Sequence, residues 1–161
     1  MKISTINDVI SIIANIGVIA SIVFLGLEMR QNSSMMKSQT RNEMTQNQME
    51  TQLAVVENSD YAKIHNALRA DPNAFPVGSP EALQAVFWNI TQLRMWENEW
   101  YQYQNGLFDE TEFEPRLNLW RNSMSNPYNI VVWKQARLDY SPDFRELLDS
   151  LIQEPTLSPM P

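Results

Sequence analysis

The sequence contains no cysteine and a single histidine, His65. The first absence excludes disulfides, thiolate nucleophiles and cysteine-ligated zinc or iron–sulfur centres. The second excludes a metal site built from several histidines of one chain. Glycine is also scarce: Gly17, Gly26, Gly78 and Gly106 stand too far apart for a phosphate-cradling loop or a dinucleotide fingerprint, and no Gly-x-Ser-x-Gly elbow occurs. Basic charge is in the minority, with 12 Lys and Arg against 19 Asp and Glu, a net charge of -7. Such a chain repels phosphate backbones, so nucleic acid is not expected as a partner. Alternating strand patterns of useful length are missing too, which points to an all-α fold. The acids that do cluster, Asp109, Glu110, Glu112 and Glu114, sit where a helix N-terminus favours them anyway. The sequence therefore predicts neither enzyme nor cofactor.

What is present in quantity is apolar surface, at 43% of 161 residues, enough for one packed domain with an anchor. Residues 9–27 read VISIIANIGVIASIVFLGL, without a charge. As a helix they rise roughly 28 Å, close to the hydrocarbon thickness of a bilayer, about 30 Å. Val, Ile, Leu and Phe fill most of these positions, and the polar Ser11, Asn15 and Ser21 each cost less than a charge would. A transmembrane helix is expected. A cleaved signal peptide would have a shorter apolar core and small residues before the cut, which Leu25-Gly26-Leu27-Glu28-Met29 does not offer. A central helix buried in a soluble bundle, or one inserted only on assembly, would look similar. Arg30, Lys37 and Arg41 follow the span and only Lys2 precedes it, so the positive-inside rule places the C-terminal domain in the cytoplasm. Ala14, Gly17 and Ser21 share one face, bordered by Ser11 and Asn15, and form a candidate oligomer face through which helices could approach closely.

Beyond the span neither glycine nor proline occurs between Gly26 and Pro72, so the helix is expected to continue as a juxtamembrane helix over 28–57. Its apolar groups divide into two stripes, Met29, Met36, Met44 and Val55 against Met35, Met49, Leu53 and Val56. Two stripes suggest two neighbours, while a mostly solvated linker with scattered methionines is the alternative. A helical bundle over 58–153 follows, preceded overall by an N-terminal tail over 1–8 and ended by a proline-rich tail over 154–161. Helix starts are predicted at Asn58-Ser59-Asp60, Ser79-Pro80-Glu81, Asp109 with Glu112 completing a capping box, and Ser141-Pro142-Asp143, while Asn126-Pro127 ends one helix ahead of another from about Tyr128 to Arg137. In the helix after Ser79, the positions Leu83, Val86, Phe87, Ile90, Leu93 and Trp100 are expected to face the core.

Glu97 continues that apolar series, and a carboxylate facing a core needs a partner. Arg121, Arg137, Arg145 or His65 could supply one, as a structural ion pair or network. The other reading is a small polar pocket of Glu97 and Tyr101 walled by Trp96, Trp100 and Trp133, which would make the domain a sensor of a small ligand.

Leu25-Gly26-Leu27-Glu28-Met29-Arg30-Gln31-Asn32, then Trp96-Glu97-Asn98 with Tyr101-Gln102, Gly106 and Asp109-Glu110, then Ser141-Pro142-Asp143-Phe144, together resemble a family of small uncharacterised bacterial proteins. Its members carry an N-terminal apolar span ending in Arg-Gln-Asn and a helical domain behind it. The chain departs from that pattern at Asn32-Ser33-Ser34, where Asn-Thr-Arg is the expectation. The resemblance implies a bacterial inner-membrane protein of this architecture and implies no chemistry. The leading expectation is a single-pass, membrane-anchored helical domain that acts by self-association or by binding another membrane protein, with the lipid bilayer as its first partner.

Overall fold

A computed structural model describes residues 3–153. The fold is all-α: α1 (Ile3–Glu57), α2 (Ser59–Ala70), α3 (Pro80–Gln104), α4 (Glu110–Met124), α5 (Pro127–Ala136), a 3₁₀ turn (Arg137–Asp139) and α6 (Pro142–Gln153), with no strand among the described residues. The expected tail over 1–8 is helical from Ile3 onward. The expected tail over 154–161 lies outside the described residues. Two compact units divide the chain, Met1–Gln46 and Asn47–Pro161.

The first unit consists of α1 alone. With no residue to break it, α1 keeps its helix past the apolar stretch into the polar one, and its hydroxyls bond back to the chain. Ser21 Oγ donates to the Gly17 carbonyl (2.8 Å), Thr40 to Met36 and Thr45 to Arg41 (3.0 Å each).

The second unit packs residues 47–57 of α1 with the five later helices. The helices α2 to α5 each start where a short polar side chain meets the free amides of the first turn. Asn58 accepts from the Asp60 and Tyr61 amides, Ser79 from Ala82 ahead of Pro80, and Asn126 from Tyr128. At α4 the capping box is complete: the Glu112 amide donates to Asp109 Oδ1 (2.8 Å) and the Asp109 amide to Glu112 Oε2 (3.2 Å). Beyond the end of α3 the chain reverses through Gly106 at φ 72°, a left-handed conformation that glycine adopts without steric cost.

Two apolar groups fill the interior. Ile64, Leu68, Ala85, Tyr128 and Val132 form one, flanked by Phe75 and Val86, where α2, α3 and α5 meet. The other is aromatic. Trp120, fully buried, stacks on Trp96 (5.4 Å between centroids) and meets Phe113 and Phe144 edge-on, and Phe144 continues to Trp133 and Tyr140.

The inward face of α3 differs from the expected one. Ala85, Asn89, Leu93, Trp96 and Glu99 are buried, whereas Leu83 and Phe87 are exposed. Apolar and aromatic groups surround this helix on nearly every side, so its periodicity leaves the phase undetermined, and the stack of Trp96 on Trp120 sets it instead.

Candidate functional site

Between Val9 and Leu27 every Val, Ile, Leu and Phe side chain is 50–64% exposed. This is the one helix of the described residues that is long and apolar enough to cross a membrane, and none of its most apolar window is buried. Monomeric soluble proteins rarely expose contiguous apolar surface beyond a few hundred Å². Ser11, Ala14, Asn15, Gly17 and Ser21, the expected oligomer face, are all exposed. A methyl group built on Gly17 would meet nothing within 4 Å, so the close approach that glycine permits is left open to another helix. The bond from Ser21 to the Gly17 carbonyl satisfies a hydroxyl that would otherwise be costly in hydrocarbon.

In the bundle the two neighbouring acids of α3 take different roles. Glu97 is partly exposed and has one partner on its own helix and one far along the chain: Arg94 Nη1 lies 2.8 Å from Oε2, and the Ser141 amide donates to Oε1 at 2.7 Å. Burial would raise its pKa, but the Ser141 amide and the Arg94 guanidinium hold it below the usual carboxylate range. Arg94 also lies over the Tyr140 ring at 4.3 Å. The more distant cations expected for Glu97 are engaged elsewhere: Arg137 pairs with Asp149 and Arg121 donates to Asn118. The acid that enters the interior is Glu99, 3% exposed. The Gln48 side-chain amide donates to it and Arg116 Nε stands 3.8 Å away. Burial raises its pKa, against the opposing influence of Arg116, Gln48 and the Trp120 indole.

The five residues expected to form a polar pocket fall into separate surroundings. Tyr101 is 60% exposed, and Glu97 is held by Arg94 and Ser141. Trp100 packs on Tyr103 and Phe113, and Trp96 on Trp120. Trp133 donates from Nε1 to Asp149 Oδ1 (2.8 Å) at the junction of α5 and α6. Trp96 lines two clefts of the bundle. One, of about 100 Å³, has Gln48, Thr51, Gln92, Glu99 and Arg116 in its wall. Another, of about 130 Å³, carries His65, Asn89, Gln92, Ser123 and Asn129. Burial, and then Arg69, keep the His65 imidazole below its ordinary pKa, so it is neutral near pH 7. A third and larger cavity, of about 250 Å³, is apolar and lies between α2, α3, α5 and the loop before α3. Among the described residues no cluster of histidine and carboxylate side chains could hold a metal ion.

Sequence reasoning missed Glu99, Gln48 and Arg116 as a group because they come from three helices far apart in the chain. The signal for Glu99 was its spacing from Ala85, Asn89 and Trp96, a series hidden by the more apolar Leu83 and Phe87. In comparisons with known proteins, no family, no curated protein and no solved structure matches this chain.

Proposed function

We propose that this protein is a single-pass membrane protein whose helical bundle works by assembling with a second copy or with another membrane protein, and that it performs no chemistry of its own. The observation that carries this reading is the uncovered apolar stretch of α1, which a bilayer would cover. Its location is the bacterial inner membrane, in line with the family resemblance. The charges of Arg30, Lys37 and Arg41 after the span support a cytoplasmic bundle in this reading. Two features favour assembly. The small-residue face of Ser11, Ala14, Asn15, Gly17 and Ser21 allows close helix approach. Within the second unit, Met49, Leu53 and Val56 form an exposed apolar stripe on the last turns of α1, where methionine adapts to an irregular partner surface.

Fractionation tests the anchor. The full chain should resist carbonate and require detergent, while a chain starting near Glu28 should be soluble and helical; release of the full chain by carbonate would refute the span. Assembly is read by cross-linking in native membranes, where wild type should yield discrete adducts that Gly17→Leu or Leu53→Asp reduces. Adduct patterns identical in all three chains would count against assembly through these faces.

A further inference from the structure

The cleft of about 130 Å³ between α2, α3, α4 and α5 holds more polar groups than the chain engages. Asn89 of α3 and Asn129 of α5 both line it and are 9% and 7% exposed. Their amide nitrogens are used within the chain: Asn89 Nδ2 donates to the Ala85 carbonyl (3.0 Å), and Asn129 Nδ2 to the Ser123 carbonyl and Oγ (2.9 and 3.2 Å). The two amide oxygens accept no bond from the described residues. Unlike the Tyr128 and Tyr140 hydroxyls they keep accessible surface, and the exposure left to these asparagines is in the clefts they line. His65 of α2 lines the same space, with its imidazole neutral near pH 7 and no hydrogen bond to it from the described residues. Trp88 and Trp96 complete the walls, each fixed by a ring partner, Tyr61 (4.6 Å between centroids) and Trp120 (5.4 Å). Native interiors seldom leave buried amides half-paired, and a concave site with a few convergent polar groups is the usual form of a small-molecule site.

We propose that this cleft binds a small neutral molecule carrying N–H donors beside a carbonyl, a cyclic urea or planar carboxamide, whose N–H groups pair with the oxygens of Asn89 and Asn129 and whose carbonyl pairs with His65. A cavity of about 150 Å³ accommodates benzene, so a ring of slightly smaller size fits this one. The indoles of Trp88 and Trp96 take its faces. A cation would meet no carboxylate in the wall and would have Arg69 in the adjoining cleft. An anion would meet two amide oxygens, and its burial would go uncompensated.

The test uses the full chain in lipid nanodiscs titrated with ethyleneurea, cyclopentanone and guanidinium, read by saturation-transfer NMR of the probe against empty nanodiscs. Saturable binding of ethyleneurea is expected, with a Kd on the order of millimolar for so small a ligand. Cyclopentanone, a ring of the same size with the carbonyl but without N–H groups, should bind about tenfold more weakly, the worth of one neutral hydrogen bond. Guanidinium should not bind. Asn89→Leu removes the amide at similar size and should weaken ethyleneurea about tenfold while leaving cyclopentanone unchanged. His65→Phe keeps a ring, removes the N–H and should weaken both ketone and urea; if the Asn89→Leu chain fails to fold, His65→Phe decides alone. The proposal is overturned if no probe binds above the empty-nanodisc level, which would leave the cleft to water, if cyclopentanone or guanidinium matches ethyleneurea, or if a folded variant binds ethyleneurea as the parent does.

Discussion

The Gln48 side chain donates a hydrogen bond to the buried carboxylate of Glu99, 51 residues further along the chain, and so fastens the last turns of α1 to α3. Glu99 has its folded-state pKa raised, with burial as the leading cause. A carboxyl shifted upward binds more protons folded than unfolded, so stability falls as pH rises from about 4.5 through the folded value. Glu99→Gln still offers Gln48 an acceptor and carries no charge. It should remove that fall and equal or exceed the parent at pH 7, as urea midpoints between pH 4 and 8 would read. A variant matching the parent at pH 4 but weaker at pH 7 would show instead that the Arg116 attraction outweighs burial.

Asp149 carries the opposite sign. Burial would raise its pKa, but hydrogen bonds from Arg137 and Trp133 hold it below the ordinary aspartate value. Its contribution is therefore present above about pH 3.8 and lost as pH falls through the depressed value. Asp149→Ala leaves the Trp133 indole N–H buried without an acceptor, at a cost of about 1–3 kcal/mol. Asp149→Asn keeps that acceptor and loses only a solvent-screened ion pair, the smaller loss of the two. Denaturant unfolding at pH 7 should rank the two in that order; equal losses would mean that the ion pair, not the indole bond, dominates.

At the start of α4, Asp109→Ala should lower stability by about 1 kcal/mol, because the Glu112 amide loses its acceptor. Glu112→Gln preserves the reciprocal bond and should be near neutral. Thermal melts of the two variants provide the comparison, and an Asp109→Ala chain that melts with the parent would show that the box adds nothing to the folded bundle.

For the span, Ile16→Arg places a cation near the middle of residues 9–27, at a cost of about 3 kcal/mol of insertion free energy. Ile16→Leu serves as the control. The arginine variant should shift a large share of the chain out of the carbonate-resistant fraction. Full retention of both variants in that fraction would mean that residues 9–27 do not set membrane attachment.

Helix starts were legible because caps are local chemistry: Ser79 before Pro80 and Asp109 with Glu112 each act within one turn, whereas Asn126 before Pro127, read as the end of α4, also caps α5. The apolar stretch was legible from composition alone, since no residue between Val9 and Leu27 is charged. The buried face of α3 was not. A wheel drawn through Leu83 and Phe87 brings Glu97 inward, while the stack of Trp96 on Trp120 turns Ala85, Asn89 and Glu99 there instead. The glutamines after Asn47 read as a solvated linker because a glutamine's value depends on what faces it, and Gln48 faces a buried acid. The apolar cavity was beyond reach for a similar reason: Leu68, Val86 and Tyr128 belong to three helices, and a space between them exists only once all three have packed.

Chain order gives the uncovered stretch of α1 a consequence in time. During synthesis it leaves the ribosome before any residue of the second unit. At about 5–20 residues per second, on the order of ten seconds pass before α6 is complete. Throughout that interval the completed second unit is not there to meet the most apolar segment of the chain, whose side chains stand exposed along α1. Whatever covers the stretch during that interval is therefore something other than the completed bundle.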